Sequence, residues 1–492
     1  MAEKSIIGRK EELTILNLIS RSKEAEFLAV YGRRRIGKTF LIREYFSNQG
    51  IYLETAGVKN LSLAKQLENF SEAFSKTFFE NIPIQPPTSW KQAFERLTEQ
   101  IKAAPKDKKV IVFLDELPWL ASKKSGLMAA LDYYWNLYWS RLNNLILIVC
   151  GSAASWMLEN IIHAKGGLYN RITKRILLKA FDLKETKEFL KSRGITFNNK
   201  QVLDLYMVLG GIPFYLKEVK KGLSPTQLVD ALCFHKNGVL YSEFNNVFRS
   251  LFDHAEVNLQ IIREIAKAGN SISREQLIKT TKLTSGSSLN RRLEELEASE
   301  FIKCYVPLGK KTRDRFYRIV DEYTLFYLRW IAPLMHSGTF IGERGHWQKI
   351  LKTAERAVWS GRAFESVCLK HLNQIAQALG LEKIAYVSGS WRYVPPKKSK
   401  EIGAQIDLLF DREDGTITLC EIKYSDHPFT IEKAYAKNLL QKIENMTKYY
   451  PNKKNPTNKQ IFLALIALYG LKTNMYSEDL VQNEICLDDL FV

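Results

Sequence analysis

The chain has 492 residues, too many for one hydrophobic core and enough for three or four domains. Its 46% hydrophobic and 25% charged content is that of an ordinary soluble globular protein. The 72 Lys and Arg exceed the 53 Asp and Glu by 19, which favours an anionic partner, nucleic acid or an acidic membrane surface, over a merely solvated basic surface. Six scattered cysteines (150, 233, 304, 368, 420 and 486) argue against a zinc ribbon or a disulfide framework, and for a reducing cytoplasm. MAEKSIIGRK lacks an apolar signal core. LILIVCG (145–151) and IFLALIAL (461–468) are strand-length, short of the roughly 20 residues of a membrane helix. A soluble, cytoplasmic chain that engages no membrane is the expectation.

The most specific pattern comes first in the chain. EFLAVYGRRRIGKTFLIREYF (26–46) reads as an apolar strand, the loop GRRRIGKT (32–39) and a helix. That loop matches G-x-x-x-x-G-K-[ST] in the strand–loop–helix context the motif needs, so ATP or GTP is the expected ligand. Gly32 and Gly37 let the backbone of Arg33, Arg34, Arg35 and Ile36 curl its N–H groups toward phosphates. Lys38 reaches the β- and γ-phosphates, and the Thr39 hydroxyl meets Mg²⁺. KKVIVFLDELPWL (108–120) is a buried strand ending in two acids. There Asp115 suits the Mg²⁺ role and Glu116 a base that orients water, helix capping being the structural alternative. NLILIVCGSAASWM (144–157) is a third buried strand ending in Ser152, either a γ-phosphate sensor or a helix N-cap.

IIGRKEEL (6–13), GRRRIGKT, LDE and CGS together resemble the archaeal-type ATPases, P-loop proteins close to the AAA+ and STAND groups. The resemblance covers roughly 1–335. It implies ATP as the nucleotide, and a helical lid whose Gly-x-Pro element, Gly211-Ile212-Pro213 in LGGIPFYL (209–216), packs near the adenine. It also implies that GLYNRITKRILLKAF (167–181) holds an arginine finger, Arg171 or Arg175, completing a neighbour's site in a homo-oligomer. Either residue is equally readable as a surface arginine.

NLQIIREIAKAG (258–269), SREQLIKTTKL (273–283) and SGSSLNRRLEELEAS (285–299) read as three helices, and FIKCYVPLGKKTRDRFYRIV (301–320) as two strands about a basic turn. Three helices and a β-wing resemble a winged helix-turn-helix. Asn290, Arg291 and Arg292 would enter a major groove, and Lys310, Lys311, Arg313 and Arg315 would meet phosphates. The alternative is a regulatory lid that touches no DNA, favoured by the four glutamates of LEELEASE (293–300). DEYTLFYLRWI (321–331) reads as a core helix.

Residues 336–356 read as a polar linker, WSGRAFESVCLKHLNQIAQALG (359–380) as one amphipathic helix, and KIAYVSGSWRY (383–393) as a strand. GAQIDLLF (403–410) and TITLCEIKYS (416–425) are two further strands. A helix at 431–450 and a strand at 459–468 follow. This order resembles the PD-(D/E)XK nuclease core. Asp407 matches the family's lone acid, Glu421 and Lys423 its E-x-K, and Glu365 the acid of its first helix; the proline usual before the acid is absent, Gln405 and Ile406 standing there. Alternation puts Glu421 and Lys423 on one face of a strand. With Asp407 across the ladder, two carboxylates become oxygen ligands for Mg²⁺, with Lys423 placed to position the nucleophile.

The expected fold is thus α/β and multidomain: a P-loop ATPase with a parallel sheet (1–180), a helical lid (181–254), a winged helix (255–335), a linker (336–356) and a restriction-endonuclease-like α/β domain (357–492). Three functions fit it. One is an ATP-gated enzyme that cuts DNA. The others are a non-cutting STAND-like switch with the nuclease fold as scaffold, and a transcription regulator.

Overall fold

A computed structural model describes residues 6–492 except 164–167, 169, 253, 270, 285, 337–344, 397, 398, 400, 453 and 454. It divides into two compact units. The first comprises Met1–Ala180, Arg249–Ala255 and Asn290–Glu300; the second comprises Phe181–Phe248, Glu256–Leu289 and Phe301–Val492. Among the described residues no helix is long and apolar enough to cross a membrane.

In the first unit, β1 (Glu26–Tyr31), β2 (Ile51–Ala56), β3 (Val110–Asp115), β4 (Leu145–Gly151) and β5 (Lys174–Leu177) form one sheet, in the order β2-β3-β4-β1-β5. Every pairing is parallel. All of β3 and β4 is buried, as continuous apolar runs require when helices cover both faces. Phe27, Trp90, Phe94, Leu97, Trp135 and Trp139 pack against the sheet residues Val112 and Leu147 in one core. Ser62 and Ser89 cap the helices Leu63–Phe78 and Trp90–Ala103. Parallel direction brings the carboxyl ends of β1, β3 and β4 to one edge, where an open α/β sheet takes its ligands.

In the second unit, the helices Leu183–Ser192 and Asn199–Leu209 open on capping boxes, Asp182 with Glu185 and Asn198 with Gln201. β6 (Ser271–Ser273), β7 (Ile302–Tyr305) and β8 (Phe316–Ile319) form an antiparallel sheet in the order β6-β8-β7. Ser273 caps the helix Arg274–Thr281. The third strand, β6, is too short for periodicity to reveal. The basic β7–β8 turn does not project freely. Leu308 donates its N–H to the Ser390 carbonyl at 2.9 Å and packs on the C-terminal core, while Lys310, Lys311, Arg313 and Arg315 stay exposed.

The C-terminal sheet contains β9 (Tyr386–Tyr393), β10 (Ala404–Arg412) and β11 (Thr416–Lys423). β12 (Pro451–Asn452) and β13 (Asn455–Pro456) form a separate ribbon before β14 (Gln460–Ala467) and β15 (Asn483–Ile485). The sheet order is β15-β14-β11-β10-β9; β9 to β11 are antiparallel, and β11, β14 and β15 parallel. The helix Lys433–Tyr449 makes the crossover from β11 to β14 and buries Leu439 and Met446 against Leu409 and Leu463.

Two expectations change here. The single helix at 359–380 is two, Ala354–Lys370 and Leu372–Ala378, because the His371 imidazole takes the Val367 carbonyl at 2.8 Å and accepts the Leu183 N–H at 3.0 Å. The linker is not featureless either. Residues 337–344 lie outside the described residues, but His346–Ile350 is a helix whose Trp347 is buried against Phe234 and Phe326.

Candidate functional site

The phosphate loop sits at the carboxyl end of β1 and runs into the helix Lys38–Phe46. Gly37 has φ 92°, a conformation that glycine enters freely and side chains resist. Lys38 is buried, and its ammonium donates to the Gly32 and Arg33 carbonyls at 2.9 Å each. An ammonium held, among the described residues, by loop carbonyls stands where anionic oxygens would be better acceptors, which fits a phosphate group. Arg34 lies 5.9 Å from the Trp119 ring, and Arg33 is buried.

At the ends of β3 and β4 the polar groups interlock. The Thr39 hydroxyl donates to Asp115 Oδ2 at 2.6 Å, and Asp115 Oδ1 accepts the Glu116 N–H at 2.9 Å. Glu116 has φ 46° and ψ 50°, a left-handed backbone costing a non-glycine residue about 1–3 kcal/mol and found most often where function demands it. Its carboxylate accepts the Ser152 hydroxyl at 2.8 Å and the Ser152 N–H at 3.1 Å. Ser152 therefore orients Glu116. The N-cap alternative fails, because Ala153 occupies that position. Thr39 and Asp115 form a pair of hard oxygen donors of the kind Mg²⁺ prefers.

The second cluster lies on the C-terminal sheet. β10 and β11 pair Leu408 with Cys420, so one residue further the same register sets Asp407 opposite Glu421. Glu421 is 1% exposed, and both its oxygens are engaged: Lys442 donates to Oε1 at 2.5 Å and the Tyr435 hydroxyl to Oε2 at 2.9 Å. Lys423 stands 4.0 Å from Oε2, over the Tyr435 ring at 4.6 Å. Asp407 accepts from the Gln405 amide at 3.2 Å. Burial and the Glu421 charge raise the Asp407 pKa. Burial, with Asp407 next in weight, pushes Glu365 up to about 7, and Arg318 and Arg362 pull it back. Three carboxylates thus share one electrostatic field. Among the described residues, however, no three Asp, Glu, His or Cys side chains stand close enough to hold a metal ion as they are.

The first cluster lies within a segment that matches a known family. Residues 6–219 match the family of ATPase domains found predominantly in Archaea. The chain carries an archaeal-type ATPase domain. An uncharacterized protein of Methanocaldococcus jannaschii is 26% identical over 454 residues, spanning 90% of this chain and 94% of that protein. A short uncharacterized ATP-binding protein of the same organism is 42% identical over 45 residues, 9% of this chain and 76% of that protein. Among solved structures, the Walker-type ATPase of Pyrococcus abyssi is similar at 20% identity and TM-score 0.44, over 66% of this chain and 96% of that one. The Aeropyrum pernix ORC2 protein is similar at 15% identity and TM-score 0.40, over 68% of this chain and 97% of that one.

The remaining expected residues of this ATPase fall as follows. Gly211 and Pro213 belong to the second unit; Gly211 O accepts the Phe181 N–H at 2.8 Å, and a β-carbon on Gly211 would stand 1.8 Å from the Phe181 carbonyl oxygen, so only glycine fits. Arg171 and Arg175 are exposed, the latter on the edge strand β5. Arg291 and Arg292 both bind Glu295 of their own helix, at 3.2 and 2.7 Å, while Asn290 is exposed. Part of the basic face that sequence suggests is thus internally neutralised.

Three residues escape sequence reasoning. Arg9, buried, donates to the Ile36 carbonyl at 3.3 Å and to the Lys179 carbonyl at 2.7 Å, tying the phosphate loop to the strand end beside it. Nothing in IIGRKEEL signals this beyond a charge before the first helix. Tyr435 and Lys442 are more legible in hindsight. Seven residues apart on one helix, they share a face, and that face meets Glu421.

Proposed function

We propose that this ATPase acts on DNA, and that its C-terminal α/β region cleaves phosphodiesters with a divalent metal under control of the nucleotide cycle. The observation that carries the cleavage reading is the β10–β11 register, which sets Asp407 opposite Glu421 with Lys423 on the same face and Glu365 within electrostatic reach. Helix, three antiparallel strands, crossover helix and parallel strand is also the element order of the nuclease core that the sequence resembles. Asp407 and Glu421, with Glu365 nearby, would hold the metal, whose role is to polarise the phosphodiester and acidify a bound water. Lys423 would position the nucleophile. Lys442 supplies the positive charge that Glu421 otherwise needs, since a buried carboxylate without a cation is costly.

At the ATPase site, Lys38 would bind phosphate oxygens and Thr39 with Asp115 would hold Mg²⁺. Glu116, aimed by Ser152, would accept the proton of the attacking water. Gly211 and Pro213 would lie near the adenine, and Arg171 or Arg175 would reach a neighbouring copy's nucleotide, making the protein a homo-oligomer when active. The formal charge of +19 and the exposed Lys310, Lys311, Arg313 and Asn290 support contact with DNA in a winged-helix arrangement.

A second reading has its own observation. Glu421 is fully engaged by Lys442 and Tyr435, as in a scaffold that no longer binds metal, with the protein then serving as an ATP switch. Cleavage of supercoiled plasmid and of single-stranded DNA with Mn²⁺ separates the two. Activity in the wild type that disappears in Glu421→Ala/Lys423→Ala supports cleavage at this site. Activity indifferent to that change, or none in a protein that still turns over ATP, supports the switch.

A further inference from the structure

The second unit contains a cavity of about 670 Å³ that neither cluster uses. It lies among three helical segments: Ala255–Lys267, the run from Glu322 to His336, and Ala354–Lys370. Its rim is basic. Arg263, Lys267, Arg329 and Arg362 line it against a single acid, Glu355. Among the described residues, Arg263, Arg329 and Arg362 form no salt bridge; Arg329 lies over the Trp330 ring at 4.9 Å, and Arg362 acts on the Glu365 charge. Its wall is apolar: Leu325, Leu328, Pro333, the exposed Val358 and Trp359.

The chemistry that satisfies both the basic rim and the apolar wall is a nucleotide unit. Its phosphate meets the rim's guanidinium groups, and its base covers the apolar wall. The volume is within the range of small-ligand pockets and far above what an inorganic anion needs. Placement favours a strand end over a free nucleotide. Arg362 lies three residues before Glu365 on the same helix, about 4.5 Å along its axis, and its charge reaches that carboxylate.

We propose that this cavity binds the 5′-phosphorylated terminal nucleotide of a nucleic-acid strand, at a site separate from the phosphate loop. Its position as a strand anchor beside Glu365 rests on the cleavage reading above; the binding itself does not.

The test uses the full chain carrying Lys38→Ala, which silences the phosphate loop, in EDTA so that no strand is cut. Anisotropy of a 5′-phosphorylated, 3′-fluorescein single-stranded octamer is measured with and without Arg263→Ala/Arg362→Ala. The double change removes two exposed cations and should weaken binding about tenfold or more. An unphosphorylated octamer should bind as the double variant does. Equal affinity in the double variant, or for the unphosphorylated strand, overturns the proposal. Displacement of the octamer by dAMP at the octamer's own Kd overturns the strand-end assignment in favour of a free nucleotide. Plasmid cleavage by the wild type in Mn²⁺ separates the two readings: octamer binding that persists while the wild type leaves the plasmid intact leaves the pocket standing and the nuclease fallen.

Discussion

Glu116 accepts a strained backbone so that its carboxylate lies between the Asp115 turn and Ser152, and that arrangement predicts unequal effects for its neighbours. Lys38→Ala should abolish nucleotide binding and lower ATP turnover by about 100-fold or more, since among the described residues no other side chain offers its ammonium to the loop. Ser152→Ala should lower kcat about tenfold with KM for ATP unchanged, and Ser152→Thr should restore it, because Ser152 acts only by aiming Glu116. A rise in KM alone would mean that Ser152 meets the nucleotide instead. At the other cluster, Lys442→Met leaves Glu421 buried with one neutral partner and Lys423 at 4.0 Å. The expected loss of stability in EDTA is about 3–5 kcal/mol, and Mn²⁺ should recover much of it if the carboxylates bind metal. Equal melting temperatures with and without Mn²⁺ would contradict a metal site.

The break at His371 shows what an element can hide. Its imidazole, 1% exposed, donates from Nδ1 to the Val367 carbonyl and accepts the Leu183 N–H at Nε2. Burial, with Lys370 adding to it and Asp182 opposing, holds its pKa below the ordinary 6.5. The unfolded chain then binds the proton first. Stability from this group is complete above pH 6.5 and is lost as pH falls from 6.5 through the folded-state pKa. Urea midpoints at pH 7.5 and 5.5 should differ more in the wild type than in His371→Asn; equal differences would exclude His371 as the cause. Periodicity reads 359–380 as one helix because the apolar face continues across the break, and only a partner 188 residues away reveals the interruption. β1, β3, β4 and the loop 32–39 are legible because each is a local pattern: an apolar run, glycines, a lysine. The strands β10 and β11 are legible for the same reason. Lys442 and Arg9 are not, because a buried cation is defined by the group it meets, and that group lies elsewhere in the chain. The arginines at 291 and 292 mislead in the opposite sense, since composition counts charges and ignores Glu295 beside them.

At the scale of the molecule, one chain joins an ATPase site, a basic surface and a carboxylate cluster on a second sheet. The ATPase rests on the family match over residues 6–219; the coupling is the central claim. The measurement that tests it most directly is nicking of supercoiled plasmid in Mg²⁺, with and without ATP, for the wild type, Lys38→Ala and Glu421→Ala/Lys423→Ala. The account predicts cleavage that responds to ATP in the wild type, loses that response in Lys38→Ala, and vanishes in the double variant. Cleavage identical in all three proteins, or a wild type that hydrolyses ATP and leaves the plasmid intact, would contradict it.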